Sequence, residues 1–200
     1  MSGPVAIIDS GGANIASLEF ALQRLGVRAQ LTTDANEIRT ARRVILPGVG
    51  AAGDAMQRLR DHALIDVIRG LAQPVLGICL GMQLLAEASE EEDVECLGII
   101  PGIAARLEAE AGLPVPNMGW CPVSRREPNE LFNDIDDSSY FYFVHSYALP
   151  VSDYTLATAR HKEPFAAVCG RGNFIATQFH PERSSTDGAR LLRNFLGVAA

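Results

Sequence analysis

Cys79 stands at the centre of Gly77-Ile78-Cys79-Leu80-Gly81, a glycine-x-nucleophile-x-glycine pattern in which a thiol takes the serine position of a nucleophile elbow. On so sharp a strand-to-helix turn, side chains two residues either way would crowd the neighbouring strands and helix. The two glycines therefore have a physical reason. A thiol at the first turn of a helix also feels the positive end of the helix dipole, which favours the thiolate. Cys96, Cys121 and Cys169 have no such context and read as small hydrophobes. With no CxxC pair among the four, they fit neither a disulfide framework nor a zinc knuckle.

A nucleophilic cysteine needs a base, and the base needs an orienting acceptor. Of the four histidines, His62 and His161 lie in polar stretches and read as surface, while His145 follows an aromatic strand. His180 ends the apolar run 174–179 and alone has a carboxylate at a short fixed spacing, in His180-Pro181-Glu182. Proline holds φ near −65° and keeps the segment extended, so that Glu182 can turn back toward the imidazole. The expected triad is Cys79, His180 and Glu182. Developing negative charge on a substrate carbonyl would meet the backbone N–H of Leu80, directly after the nucleophile, and a second donor from Pro47-Gly48-Val49-Gly50. The loop Asp9-Ser10-Gly11-Gly12-Ala13-Asn14 matches neither a dinucleotide nor a phosphate-loop motif and is expected at the same edge.

These residues need a scaffold, and the pattern supplies one. Residues 5–9 (VAIID) form a short apolar run, and residues 14–25 carry apolar side chains at helical spacing. The alternation continues with a strand at 27–31, a helix at 34–41, a strand at 43–46, one amphipathic helix over 54–70, a strand at 75–79 and a helix at 80–88. Alternating β and α predicts an α/β fold with an open, mostly parallel, mixed sheet and helices on both faces. After Ser89 the spacing shortens to strand-like segments at 103–107, 121–123, 140–149, 155–159, 165–169 and 173–179, an antiparallel extension in the C-terminal half. A last helix covers 186–196, with Ser184 or Ser185 available as its cap. Ligands of such sheets bind at the carboxyl ends of the strands, where Cys79, residues 47–50 and His180 all fall.

The chain has 200 residues, the length of one domain spanning 1–200, and 48% hydrophobic residues, which excludes a disordered polymer. Its net charge of −7 argues against a phosphate-backbone binder, so no nucleic acid is expected. The longest apolar run, 74–82, is too short for a membrane span, and the N-terminus lacks the charged and apolar regions of a signal peptide. A cytoplasmic location without membrane contact is expected. The run Glu90-Glu91-Glu92-Asp93 reads as a solvated loop rather than a metal site.

The segment 77–85 (GICLGMQLL), with Phe179-His-Pro-Glu182 about a hundred residues on, resembles the class I, triad-type glutamine amidotransferases. Within that class, Pro47-Gly-Val-Gly50, Asn117-Met-Gly-Trp120, the segment 142–147 (YFVHSY) and the segment 180–185 (HPERSS) resemble the glutaminase subunits of imidazole glycerol phosphate synthases. The resemblance covers essentially the whole chain and leaves no room for a synthase domain. It implies a flavodoxin-like architecture, no cofactor and no metal. Cys79 would attack the carboxamide of glutamine, His180 would protonate the departing ammonia, and Glu182 would orient His180. Gln83, one helical turn after Cys79, together with His145, Ser146 and Tyr147, would contact the bound glutamine. A cyclase subunit, the partner in a heterodimer, would use the ammonia to make imidazole glycerol phosphate and an aminoimidazole carboxamide ribotide. Asn14, Met118, Trp120 and Arg183 would face that partner. Members more often have Tyr and Asn where this chain has Ser10 and Cys121, positions that bear on the partner rather than on the triad.

Two other readings compete. A stand-alone cysteine hydrolase keeps the triad, and a glutaminase subunit of another synthase, such as the one making pyridoxal phosphate, would show a different loop at 47–50. An α/β-hydrolase is the weaker alternative, because its chain order is nucleophile, acid, then histidine, whereas here Glu182 follows His180. A non-catalytic module would have lost the nucleophile or the base. The glycine-rich 47–50 loop predicts a nearly idle free chain whose oxyanion donor is aimed only when the partner docks.

Overall fold

The computed structural model describes residues 4–11 and 15–197. Strand β1 (Val5–Ile8), helix α1 (Ile15–Arg24), β2 (Ala29–Thr32), α2 (Ala35–Thr40) and β3 (Arg43–Leu46) open the fold. Helices α3 (Ala52–Asp61) and α4 (Ile65–Arg69), strand β4 (Val75–Ile78) and helix α5 (Leu80–Leu85) follow. The short strands β5 (Ala88–Ser89), β6 (Val94–Glu95) and β7 (Ile103–Arg106) lead to β8 (Asn117–Pro122) and β9 (Ser124–Arg125). Strands β10 (Tyr140–His145), β11 (Tyr147–Ala148), β12 (Thr155–Arg160), β13 (Pro164–Arg171) and β14 (Phe174–Thr177) precede the last helix, α6 (Ser185–Leu196).

An eight-stranded sheet runs β2-β1-β3-β4-β14-β13-β12-β9. Its first five strands are parallel, and β13, β12 and β9 extend it antiparallel. Alternate residues of the parallel strands serve opposite faces. Val5, Ile7, Ile45 and Ile78 pack with Leu18 and Leu22 of α1 and Leu191 and Leu192 of α6. Ala6, Ile8, Val44 and Leu46 pack with Ile38 of α2, Met56 of α3, Ile68 of α4 and Leu84 of α5. Burial on both faces is the reason these strands read as continuous apolar runs. Two smaller sheets, β10-β8 and β11-β7-β5-β6, stand apart from the main one. The expected strand 140–149 is therefore two strands divided at Ser146, one in each small sheet, and the expected strand 121–123 belongs to β8, which begins at Asn117.

The expected single helix over 54–70 is interrupted. Ala63 adopts φ 54°, its N–H bonds to Arg60 O at 2.9 Å, and Leu64 N–H bonds to Leu59 O at 2.8 Å. This is a Schellman closure, in which two left-over carbonyls are satisfied and the flanking apolar pair is buried. Leu59 and Leu64 are that pair, both fully buried. Each side taken by itself keeps helical spacing, with Ala52, Ala55, Met56 and Leu59 before the break and Leu64, Val67 and Ile68 after it. Helix α5 likewise stops at Leu85, short of the expected 88, and β5 takes the following residues.

Candidate active site

Cys79 lies between β4 and α5 with φ 53° and ψ −110°, a left-handed conformation that a non-glycine residue holds only against steric strain. Backbone contacts enforce it. Cys79 N–H continues the ladder by donating to Thr177 O at 2.8 Å. A Cβ on Gly81 would come within 1.8 Å of Leu46 O, and one on Gly77 within 2.9 Å of Gly81 O. Only glycine permits β3 to pass so near the first turn of α5. Gly48 is equally confined, since its Cβ would stand 2.9 Å from that of Leu80, and this seats the 47–50 loop against the start of α5. Ser10 Oγ donates to Pro47 O at 2.8 Å, so the end of β1 and this loop are tied together.

His180 arrives from β14, the parallel neighbour of β4. Its N–H donates to Tyr142 O at 2.9 Å, while Ser184 Oγ donates to His180 O at 2.7 Å and accepts from Tyr142 N–H at 2.9 Å. Ser184 therefore clamps β10 to the histidine segment and makes no side-chain cap bond to α6. Residues Pro181–Arg183 form a 3-10 turn rather than an extended segment, and this turn brings Glu182 back. A Cβ on Gly188 would lie 2.0 Å from Pro181 O, so α6 presses directly on it.

His180 Nδ1 is 2.8 Å from Glu182 Oε1, with both side chains almost wholly buried. A carboxylate accepts, so Nδ1 carries the proton and Nε2 is left for other work. Burial opposes an imidazolium here, but Cys79 and Glu182 outweigh it and raise the His180 pKa to about 10. Nε2 itself is buried without a hydrogen bond of normal geometry, so Cys79 acts on it as a neighbouring sulfur rather than as a formed bond. The Cys79 thiol donates to Val144 O at 3.7 Å.

A cavity of about 280 Å³ opens beside the sulfur. It is lined by Cys79, Leu80, Gln83 and His180, by Val49 and Gly50 of the loop, and by His145, Ser146 and Tyr147. The positions expected at a substrate site thus share one space, with the exception of Gly48 and Glu182. Those two line an adjoining chamber of about 20 Å³, the room of a single water. Glu182 Oε2 has no hydrogen-bond partner among the described residues. Leu80 N–H, first in its helix, has no intrahelical acceptor.

His145 is buried, with its Nδ1 donating to Tyr147 O at 2.9 Å and its Nε2 accepting from Asn117 Nδ2 at 3.0 Å. Burial pushes its pKa down to about 4, so it serves as a neutral bridge. Gln83 Nε2 donates to Tyr147 O at 3.0 Å and to Gln178 Oε1 at 3.3 Å. The cavity also holds Glu91, Pro116 and Val144, none of which carries a motif. Glu91 corrects the expectation of a merely solvated acidic run: its Oε2 accepts from Ala52 N–H at 2.9 Å, and burial raises its pKa. No group of side chains able to hold a metal occurs among the described residues.

His161, expected at the surface, is buried, and its Nε2 donates to Pro114 O at 3.1 Å. His62 is exposed. Burial pushes the thiols of Cys96 and Cys169 up to about 11. On the β8-β10 ribbon, Met118, Trp120 and Tyr140 are exposed. Trp120 lies within β8 and meets Tyr142 edge to face at 6.1 Å, and the Arg183 guanidinium covers the same tyrosine at 6.0 Å. Asn14 lies outside the described residues. No helix among the described residues is long and apolar enough to cross a membrane.

Residues 6–198 match the family of class I glutamine amidotransferases. The chain is 53% identical to an imidazole glycerol phosphate synthase subunit HisH 2 of Legionella pneumophila, over 97% of this chain and 98% of that one. It is 48% identical to the subunit HisH of Vibrio cholerae over 98% and 99%, and 50% identical to that of Xanthomonas euvesicatoria over 98% of each. Among solved structures, a chain of PurLQS from Thermotoga maritima superposes with a TM-score of 0.73 at 17% identity, covering 98% of this chain and 99% of that one. A glutamine amidotransferase of the same organism gives 0.67 at 18%, covering 98% and 83%. At such identities the superpositions speak for the fold, and the sequence matches speak for more: this chain belongs to the class I glutamine amidotransferase family.

Proposed function

We propose that the chain is the glutamine-hydrolysing subunit of an imidazole glycerol phosphate synthase, acting in histidine biosynthesis. The near full-length similarity to HisH subunits supports this reading. One observation carries the chemistry: a sulfur on a strained elbow shares a cavity with a histidine whose far nitrogen is held by a buried carboxylate. In this reading the Cys79 thiolate attacks the side-chain carboxamide carbon of glutamine. The resulting oxyanion lies against Leu80 N–H and the loop Gly48-Val49-Gly50. His180, held by Glu182, gives a proton to the nitrogen as the C–N bond breaks, releasing ammonia and leaving a γ-glutamyl thioester. Water then attacks that thioester with His180 as base, and glutamate departs.

The rest of the cavity suits an amino acid. Both amide hydrogens of Gln83 are committed to Tyr147 O and Gln178, so only its carbonyl oxygen is left to meet substrate. That acceptor, with the Glu91 carboxylate, matches an α-ammonium group, while backbone groups of residues 145–147 are available to the remainder. Ammonia passes to a cyclase subunit, which forms imidazole glycerol phosphate and an aminoimidazole carboxamide ribotide. The exposed Met118, Trp120 and Arg183 belong to the docking face in this reading. Residues 1–200 act as one amidotransferase domain. Four cysteines all present as free thiols fit a reducing, cytoplasmic setting.

Ammonia release from glutamine, measured for the chain alone and with a cyclase subunit plus its ribotide ligand, tests the proposal. Stimulation by about 10²-fold or more, the typical weight of an aimed oxyanion donor, and its loss in Cys79→Ala are expected. Full turnover without a partner would instead indicate a stand-alone hydrolase.

A further inference from the structure

We propose that Gln178 is a hydrogen-bond donor to the Cys79 sulfur and sets how readily that sulfur ionises, an inference that rests on the reading of Cys79 as the nucleophile. Gln178 follows β14 and is completely buried. A buried amide must find partners, and this one is divided between two: Oε1 accepts from Gln83 Nε2 at 3.3 Å, and Nε2 lies 3.8 Å from Cys79 Sγ.

The direction of this contact is dictated from a distance. Tyr147 O can only accept, and it takes hydrogen bonds from Gln83 Nε2 at 3.0 Å and from His145 Nδ1 at 2.9 Å. Gln83 must therefore present its NH2 group there. The same NH2 group meets Gln178, which must answer with its oxygen and is left with its own NH2 for the sulfur. Reversing either amide would set oxygen against oxygen or NH2 against NH2 between two buried side chains. On the other side of Tyr147, the proton on His145 Nδ1 leaves Nε2 to accept from Asn117, whose Oδ1 accepts from the Cys121 thiol at 3.8 Å. Every member of the chain from Cys121 to Cys79 thus has its donor and acceptor ends assigned by one carbonyl.

A donor aimed at sulfur stabilises the thiolate relative to the thiol. The contact matters here because Val144 O works in the opposite sense: it accepts the thiol proton at 3.7 Å and would repel the thiolate. Gln178 offsets Val144, and its amide touches the reacting atom itself.

The test is the pH dependence of Cys79 alkylation by iodoacetamide in the full chain, followed on the Cys79 peptide by mass spectrometry, for the parent, Gln178→Leu and the isosteric Gln178→Glu. The midpoint is expected to rise by about one pH unit in Gln178→Leu, slowing alkylation at neutral pH about tenfold. It should rise further in Gln178→Glu, where a carboxylate oxygen faces the sulfur. Profiles that superimpose on the parent, in variants with unchanged circular dichroism, would overturn the proposal. If Gln178→Leu does not fold, Gln178→Glu decides on the same criterion. Because alkylation requires no glutamine, glutamine hydrolysis persisting in Cys79→Ala would defeat the nucleophile reading separately.

Discussion

His180 Nδ1 and Glu182 Oε1 lie 2.8 Å apart, and their side chains are only 3% and 4% exposed. Two residues separated by one proline are brought face to face because Pro181–Arg183 is wound into a 3-10 turn against α6. Replacing the carboxylate by an amide, Glu182→Gln, leaves the shape and removes the charge that holds the imidazolium. Glutamine hydrolysis is expected to fall by about 10²- to 10⁴-fold. The folded-state pKa of His180 is raised from 6.5 to about 10, so between those values the folded chain binds the extra proton. Stability from this group is full below about pH 6.5 and is lost as pH rises through about 10. Urea unfolding across that range should show the decline in the parent and a flatter curve in Glu182→Gln.

His145 gives the opposite slope. Its folded pKa is lowered from 6.5 to about 4, so the folded chain resists a proton that the unfolded chain accepts. Its contribution is present above pH 6.5 and is lost as pH falls through about 4. In His145→Gln, acid unfolding monitored by circular dichroism should lose part of this dependence. An unchanged acid limb would mean that His145 is charged in the fold.

Two glycines near the sulfur should respond differently to the same added methyl group. Gly81→Ala forces a carbon into Leu46 O, overpacking expected to cost about 3 kcal/mol or more. Gly50 has φ 99°, and a Cβ there would meet nothing within 4 Å, so Gly50→Ala should cost only the left-handed penalty, about 1–2 kcal/mol. Thermal unfolding of the two variants side by side checks the ranking.

Trp120 is half exposed on β8, braced by Tyr142. Aromatic anchors of this kind carry much of the energy of an interface. Trp120→Ala should weaken association with a cyclase subunit by about 2 kcal/mol or more by calorimetric titration, while leaving the melting temperature of the free chain nearly unchanged. Equal affinity would remove Trp120 from the docking face.

Residues close in sequence or repeated at a regular period are legible from the chain alone. The elbow around Cys79, the His180-Pro181-Glu182 spacing and the strand-helix alternation through helix α5 each follow from local sterics or periodicity. Glu91 and Gln178 carry no such signal. One is drawn to the cavity by Ala52 N–H, the other to the sulfur by pairing with Gln83, and each contact joins segments distant along the chain. The break in the expected helix 54–70 is equally hidden, because the apolar residues on each side of Ala63 keep helical spacing within their own segment.

The sequence by itself determined the parallel α/β scaffold, the glycine-flanked cysteine elbow and the carboxylate-held histidine, since each depends on neighbours a few residues apart. Only the tertiary structure decided which atoms face the sulfur, because β4, β14, α5 and the β10-β11 bend meet there from positions up to about a hundred residues apart. Hydrogen-bond direction at that meeting point is a property of the closed network around Tyr147 O, and no single segment contains it.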